Sequence, residues 1–381
     1  MAHTSVLPQG AEARPLTIID MPPEILREIF DEFMDCRLDD PTRIDWMDFR
    51  EDDEISMKRD ALKNARLTCR TLCEAASPYL IPMVQVRIEQ TSLDRLEAIS
   101  RSPLLASGVR ALEVNLRCRP GGTDTPDRYR FLDLWRRHGQ TVGELTPALR
   151  ERIAQWDNDT DPTMDALGDF DGEVVEQCES IIKRSLTLHR ALRGANLVLI
   201  TSGTFTSTVA AAVSRMPRFS TLLFRDWDRQ LPVPIPQLGA CTTPVFVIQP
   251  TGWKEVEATP EGGIRPSARL LSEIPIAIHD AGVALRAIYV DYFPTRNDID
   301  VFSTSEPREL SAAFQHLEQV NFLRYQGEGR DNPYHPCDEQ PVLINYIGAL
   351  LSSPRLKHVD ISAQRYSTIN MRDAVRCIKP M

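Results

Sequence analysis

The chain has no run of eighteen apolar residues, and its start, Met1-Ala-His-Thr-Ser-Val-Leu-Pro-Gln-Gly10, lacks both the basic and the apolar regions of a secretory signal. Nothing reads as a membrane span, and a soluble protein of the cytoplasm or nucleus is expected. Cysteine is sparse: eight residues in 381, with only Cys69 and Cys73 close together, one helical turn apart and without a second pair. That spacing supports neither a disulfide framework nor a zinc site, so all eight are read as reduced thiols. Positive charge is in deficit, 44 Lys and Arg against 54 Asp and Glu, a formal net charge of −10. This balance argues against a nucleic acid or an anionic membrane as the main partner.

Catalytic motifs are missing too. There is no Gly-x-x-x-x-Gly-Lys-Ser/Thr, no Gly-x-Gly-x-x-Gly after a strand, no Gly-x-Ser-x-Gly and no His-Glu-x-x-His, so no catalytic residue, metal or cofactor is assigned. Gly121-Gly122 and Gly262-Gly263 read as turns. Tyr334-His-Pro-Cys-Asp-Glu339 is the tightest mixed cluster, but nucleophile and base normally meet across a fold, and it reads as a polar loop. Asp157-Asn-Asp-Thr-Asp161 begins like a calcium loop, yet Pro162 stands where that loop needs Gly and Gly168 where it needs a bidentate Glu. With nine acids and no Lys or Arg from Asp157 to Glu179, the stretch reads as a solvated acidic segment.

What is present is concentrated near the start. Pro22-Pro23 fixes φ where a helix can begin and removes donors that would be unpaired there, Asp20 can cap just upstream, and Glu24 falls where the helix dipole favours it. A helix is expected from about Pro22, with Ile25, Leu26, Ile29, Phe30 and Phe33 on one stripe and Arg27, Glu28, Asp31 and Glu32 turned away. A second is expected from Asn64 to about Pro78, its apolar face made of Ala65, Leu67, Cys69, Leu72, Cys73, Ala75 and Ala76. Two amphipathic helices of this size cannot bury both faces alone, so they need a third helix, a partner, or both.

Met21-Pro-Pro-Glu-Ile-Leu-Arg-Glu-Ile-Phe30 and Leu67-Thr-Cys-Arg-Thr-Leu-Cys73, followed by Ala76-Ser-Pro-Tyr-Leu80, resemble the two ends of an F-box of the variety common in filamentous fungi. The resemblance implies a three-helix module that packs against the Skp-type adaptor of an SCF cullin-RING ubiquitin ligase. Matched residue by residue, the adaptor-binding positions are Met21, Pro22, Ile25, Ile29, Leu67, Cys69, Arg70 and Leu72. Met21 replaces the usual Leu, a mild change because Met fills irregular apolar gaps. About 20 extra residues, from about Asp35 to Met57, separate the two ends. From Asp31 to Glu54 eleven Asp or Glu face three Arg, so this insertion reads as a solvated loop. Trp46, Met47 and Phe49 within it leave a partner-touching patch as the alternative.

Farther on, five segments share an apolar-x-x-apolar-x-apolar pattern: Val109 to Val114, Phe219 to Phe224, Leu285 to Val290, Leu317 to Phe322 and Leu356 to Ile361. Each follows a helix-like stretch, such as Leu93 to Ser100 or Leu343 to Leu351, and Pro103, Pro217 and Pro354 mark turns ahead of three of them. The recurrence resembles irregular leucine-rich repeats, in which one short strand and one helix per unit stack into a solenoid. Its spacings of 110, 66, 32 and 39 residues are wider than a regular repeat, so inserted units are needed, and Leu197-Val-Leu-Ile200 is a candidate strand for one. The alternative is an ordinary α/β domain with parallel strands and crossover helices. From Leu231 to Pro275 eight prolines, with Pro232-Val-Pro-Ile-Pro236 alternating, read as an extended surface loop.

The expected fold class is thus α/β, a small all-α F-box head followed by an irregular leucine-rich-repeat-like α/β solenoid. Its organisation is a disordered N-terminus over 1–14, an F-box over 15–85 with the acidic insertion at about 35–57, and a substrate-binding domain over 86–381 with inserted loops at about 118–180 and 228–275. In a solenoid the strand side chains between the apolar positions and just after them face the concave side, which makes Glu113, Asn115, Arg225, Tyr289, Asp291, Asn321, Tyr325 and Asp360 the expected contacts to an unidentified protein target. The expected function is that of a non-enzymatic substrate receptor, tied through the adaptor to a cullin. A leucine-rich scaffold, an F-box protein acting outside a ligase and an α/β enzyme are the alternatives.

Overall fold

A computed structural model of the chain describes residues 17–34, 53–119, 135–136, 139–147, 149–151, 172–226, 244–250, 266–291, 293, 301–302, 306–324 and 341–363. The class is mixed α/β, with a six-stranded parallel sheet. Two compact units divide the chain, Met1–Pro82 with Pro103–Val109, and Met83–Ser102 with Arg110–Met381. The first therefore ends at Pro82 and regains a later segment, where the sequence suggested one continuous stretch to residue 85.

In the first unit, helix α1 (Pro23–Phe33) starts with Pro22 as its N-cap residue. Asp20 does not cap it. Its carboxylate accepts from the Thr17 amide at 2.9 Å and the Thr17 hydroxyl at 2.6 Å, closing a separate 3-10 turn, Ile18–Asp20, and these hydrogen bonds hold the Asp20 carboxyl below its ordinary pKa. The expected second helix is two, α2 (Asp53–Thr68) and α3 (Arg70–Ala76), because Cys69 adopts extended backbone (φ −157°, ψ 167°) between them. The missing third helix is thus the early part of α2, which begins inside the expected insertion. The unit's core is Leu26, Phe30, Leu62, Leu72, Ala75, Ala76 and Tyr79. The Tyr79 hydroxyl lies 3.0 Å from an Asp31 carboxylate oxygen and 3.1 Å from the Arg27 carbonyl, anchoring the 3-10 turn Ser77–Tyr79 after α3 to α1. Pro103–Val109 belongs here for a steric reason. A Cβ at Gly108 would sit 1.7 Å from the Pro78 carbonyl oxygen, so only glycine admits this approach.

In the second unit all five recurrent segments are strands: β2 (Ala111–Asn115), β4 (Thr221–Arg225), β6 (Ala287–Val290), β7 (Gln319–Arg324) and β8 (His358–Ala363). A sixth, β1 (Met83–Arg87), carries the same pattern as Ile81-x-x-Val84-x-Val86 and escaped the sequence reading. The sheet order, β1-β2-β4-β6-β7-β8, follows the chain without reversal. Its register superposes the pattern: Val84, Leu112, Leu222, Ile288, Val320 and Val359 form one row across the six strands, and Val86, Val114, Phe224, Val290, Phe322 and Ile361 the next. One hydrogen-bond device repeats at four successive steps. The carbonyls of Arg110, Ser220, Arg286 and Glu318 each accept two amides from the start of the following strand, at 2.7–3.1 Å.

Helices α4 (Gln90–Arg101), α6 (Thr204–Val213), α7 (Leu270–Asp280), α8 (Pro307–Ala313) and α9 (Pro341–Leu350) pack each against the next in chain order. Helix α7 ends in a Schellman motif: Gly282, at φ 79°, gives its amide to the His279 carbonyl, and the Val283 amide reaches Ile278. The same helix contains Pro275, which leaves the Leu271 carbonyl without its usual amide donor. The buried Tyr346 hydroxyl of α9 donates to that carbonyl at 3.2 Å, and burial pushes the Tyr346 pKa up.

The two expected inserted loops contain ordered structure. Strand β3 (Gly139–Val142) from the first pairs antiparallel with β5 (Val245–Ile248) from the second. The long helix α5 (Gly172–Thr201) packs on β5, and Trp135, Leu149, Cys178, Ile181, Ile182, Leu186, Phe246 and Ile248 form a separate small core. Buried Ser185 links them, accepting the Phe246 amide at 2.7 Å and donating to the Ile181 carbonyl at 2.7 Å. Leu197–Ile200, read as a strand, lies in α5, and the proline-rich stretch read as an extended loop contains β5 and most of α7. Pro232–Pro236, the acidic residues 157–171, the cluster 334–339, and Trp46, Met47 and Phe49 lie outside the described residues.

Candidate docking surface

Helix α1 has apolar side chains over more of its circumference than the unit's core can take. Leu26 and Phe30 turn inward, at 0% and 9% exposure, while Ile25 (42%), Ile29 (39%) and Phe33 (39%) stay in solvent beside Met21 (39%) and Ile18 (50%). Ile25, Ile29 and Phe33 are spaced by four, which lines them along one edge of the helix, and Met21 precedes its first turn in extended backbone. A patch of this kind on a small unit is a candidate binding face, because water contact with exposed apolar surface is unfavourable. At the break between α2 and α3, Leu67 is 84% exposed. It lies near the end of α2, one residue before the last of that helix, on the side turned away from the unit's core.

Of the eight residues that the F-box resemblance assigns to an adaptor, Met21, Pro22, Ile25, Ile29, Leu67 and Arg70 are exposed and Cys69 is half-buried. Leu72 is in the unit's own core, where it holds α3 to its neighbours. Arg70 pairs with Glu74 at 2.9 Å and the contact raises its pKa, but both side chains are largely exposed, so the pair contributes little. Ile18 and Phe33 were not among the eight. Phe33 was visible in the spacing, whereas the exposure of Ile18 depends on the 3-10 turn that presents it.

The residues expected to meet a target fare differently. Gln85, Glu113, Leu223, Tyr289, Asn321 and Asp360 form one row on the sheet face opposite the buried apolar rows, and Asn115 and Arg225 are neighbours in the row beyond. Glu113, Asn115, Arg225 and Tyr289 are buried, at 4%, 2%, 1% and 7% exposure. The Arg225 guanidinium sits between Glu113 at 3.3 Å and Asp291 at 3.2 Å, and Gln85 donates to Glu113 at 2.9 Å. This network compensates buried charge within the sheet and offers no open surface at these positions. Asn321 is half-buried and Asp360 exposed; Tyr325 lies outside the described residues. Alternation along a strand identifies which side chains share a face, but other segments decide whether that face is covered.

Among the described residues no group of His, Cys, Asp and Glu could hold a metal ion, no single helix is long and apolar enough to cross a membrane, and Cys69, Cys73, Cys118 and Cys178 are free thiols. Compared with known proteins, the chain matches no family model, no curated protein and no solved structure.

Proposed function

We propose that this chain is the substrate-recognition subunit of an SCF-type cullin-RING ubiquitin ligase. Its first unit is an F-box that docks on a Skp-type adaptor, and its second is a degenerate leucine-rich-repeat solenoid that holds a target protein. It positions that target and contributes no catalytic residue of its own. The observation that carries the reading is the outward apolar edge Met21, Ile25, Ile29 and Phe33 on a three-helix unit, whose sequence ends resemble an F-box. Further support comes from the sheet, whose strand order follows the chain and whose pattern recurs in register, as stacked repeats would require. The target side is better sought around Asn321 and Asp360 than at the buried Glu113, Asn115, Arg225 and Tyr289.

The test uses the full chain, because the first unit includes residues 103–109 and a shorter N-terminal fragment would lack Gly108 against Pro78. Co-expression with a Skp-type adaptor should give a complex stable to gel filtration. Ile25→Asp with Ile29→Asp should abolish it while the thermal melt is retained. A wild-type chain that stays monomeric in the adaptor's presence sinks the reading. Recovery of the cullin with the adaptor separates a ligase subunit from an F-box protein working outside one.

A further inference from the structure

Every strand of the large sheet but the last is followed in the chain by one of the packed helices: β1 by α4, β2 by α6, β4 by α7, β6 by α8 and β7 by α9. Among the described residues no helix follows β8. The consequence shows in the apolar rows. Val320 and Phe322 of β7 are 0% and 1% exposed, whereas Val359, which continues the first row into β8, is 45% exposed and Ile361 is half-buried. At the opposite edge Val84 and Val86 of β1 are buried, so lying at an edge does not by itself account for the difference.

Helix α9, the last in the packing order, carries apolar residues for a further neighbour. Leu343, Tyr346, Ala349 and Leu350 turn inward, and the Tyr346 hydroxyl reaches the Leu271 carbonyl. Ile344, Ile347 and Gly348, with Leu351 just past the helix end, make a second apolar stripe at i, i+3, i+4 and i+7. Ile344 is exposed and the other three are half-buried. A Cβ at Gly348 would meet nothing within 4 Å, so there is room over the stripe.

The chain itself supplies a match. Past Ala363, the last described residue, Met371, Ala374, Val375 and Ile378 repeat the i, i+3, i+4, i+7 spacing, with Arg372, Asp373, Arg376 and Lys379 off that stripe. Asn370 is a favourable N-cap residue and Pro380 a stop. Asp373 falls in the first turn and Arg376 and Lys379 in the last, where the helix dipole favours each sign. Residues 364–370 remain as the connection, close in length to ordinary strand-to-helix loops.

We propose that residues 371–379 dock as an amphipathic helix on α9 and on the helix-bearing side of β8, taking the place of a next unit and closing the apolar end of the sheet. Stacked strand–helix units need such a cap, apolar inside and charged outside, to stay soluble. Asp360 points to the opposite face of β8 from Val359 and Ile361, so the cap leaves the side proposed for the target open. The inference stands apart from the adaptor reading, since none of its residues belongs to the first unit.

The test places the photo-cross-linking residue p-benzoyl-phenylalanine at position 344 of the full chain and maps the products by mass spectrometry. A link to a peptide within 364–381, in a product of monomer mass, is the expected result. Hydrogen exchange gives a second reading on the unlabelled chain. Met371→Asp with Val375→Asp should raise exchange across residues 341–361 by about tenfold and leave 83–101 unchanged, because the charges displace the cap and not the sheet. A cross-linked product of dimer mass would put a second copy on this face, and a monomer without links to 364–381 would leave the face to another protein. Either outcome overturns the proposal, as does exchange across 341–361 that the double variant leaves unchanged.

Discussion

The two units dispose of their difficult side chains in opposite ways. The first leaves Ile25, Ile29 and Leu67 in water, while the second buries Glu113 and Arg225 almost completely. Size explains part of the contrast. A unit of three short helices encloses little volume, so a helix with a broad apolar stripe must leave some of it outside. A sheet with six strands has interior positions on both faces, and a charge caught there must find a partner or go unneutralised. Surplus apolar surface in the small unit therefore reads as binding capacity, whereas surplus charge in the large one reads as internal structure.

Breaking the buried charge network should have the largest effect. Arg225→Met removes the cation between Glu113 and Asp291, and leaving both carboxylates without it should cost about 3–5 kcal/mol in urea unfolding of the full chain. A neutral result would mean that the sheet face is wetter than its burial indicates. Next is a contrast within α1. Leu26→Ala should cost about 3 kcal/mol, read by amide hydrogen exchange across residues 17–34, while the neighbouring Ile25→Ser should change it by less than about 0.5 kcal/mol. Equal costs would place Ile25 in the core and remove the basis for a docking edge.

A smaller effect tests the helix–helix contact at Pro275. Tyr346→Phe leaves the Leu271 carbonyl without a donor and should cost about 1 kcal/mol, and that cost should shrink when Pro275→Ala restores an amide at the position that faces it. Equal costs in the two backgrounds would exclude the hydroxyl as a substitute for the missing amide. The smallest concerns the pair Lys357 and Glu318, 2.6 Å apart and each just ahead of one of the adjacent strands β8 and β7. The hydrogen bond from Lys357 lowers the Glu318 pKa, with weaker contributions from Arg286 and Arg355. A depressed folded pKa means that the contribution is present above the unfolded value and is lost as pH falls through the folded one. Thermal melts of wild type and Lys357→Met should therefore differ slightly near neutral pH, by less than about 1 kcal/mol because Lys357 is mostly exposed, and converge in acid. A constant difference would assign the effect to packing of the lysine stem.

Much of the sheet was legible because its signal is local and repeated. Val109 to Val114 and its four counterparts carry the same spacing of apolar residues, and their register superposes those residues row on row. The first copy, from Ile81, was lost because Pro82 stands inside it and because it directly follows the helical segment that dominates the preceding sequence. Leu197–Ile200 went wrong for a related reason. Four apolar residues in a row suit a buried strand or the end of a long helix equally well, and periodicity over so short a run cannot separate them.

By itself, then, the sequence determined which side chains belong to which periodic element: the helix opened by Pro22-Pro23, the strands under each apolar triplet, and the absence of the catalytic motifs sought. Those properties depend on backbone chemistry and on spacing within a few residues. Only the tertiary structure decided which faces are covered. Leu72 went inside, in the core that α1, α2 and α3 share, and Leu67, near the end of α2, stayed outside. Glu113 and Arg225 became partners because parallel pairing put β2 beside β4, 110 residues later in the recurrence. Burial is a property of what packs on a face, and that is set by contacts between segments far apart in the chain.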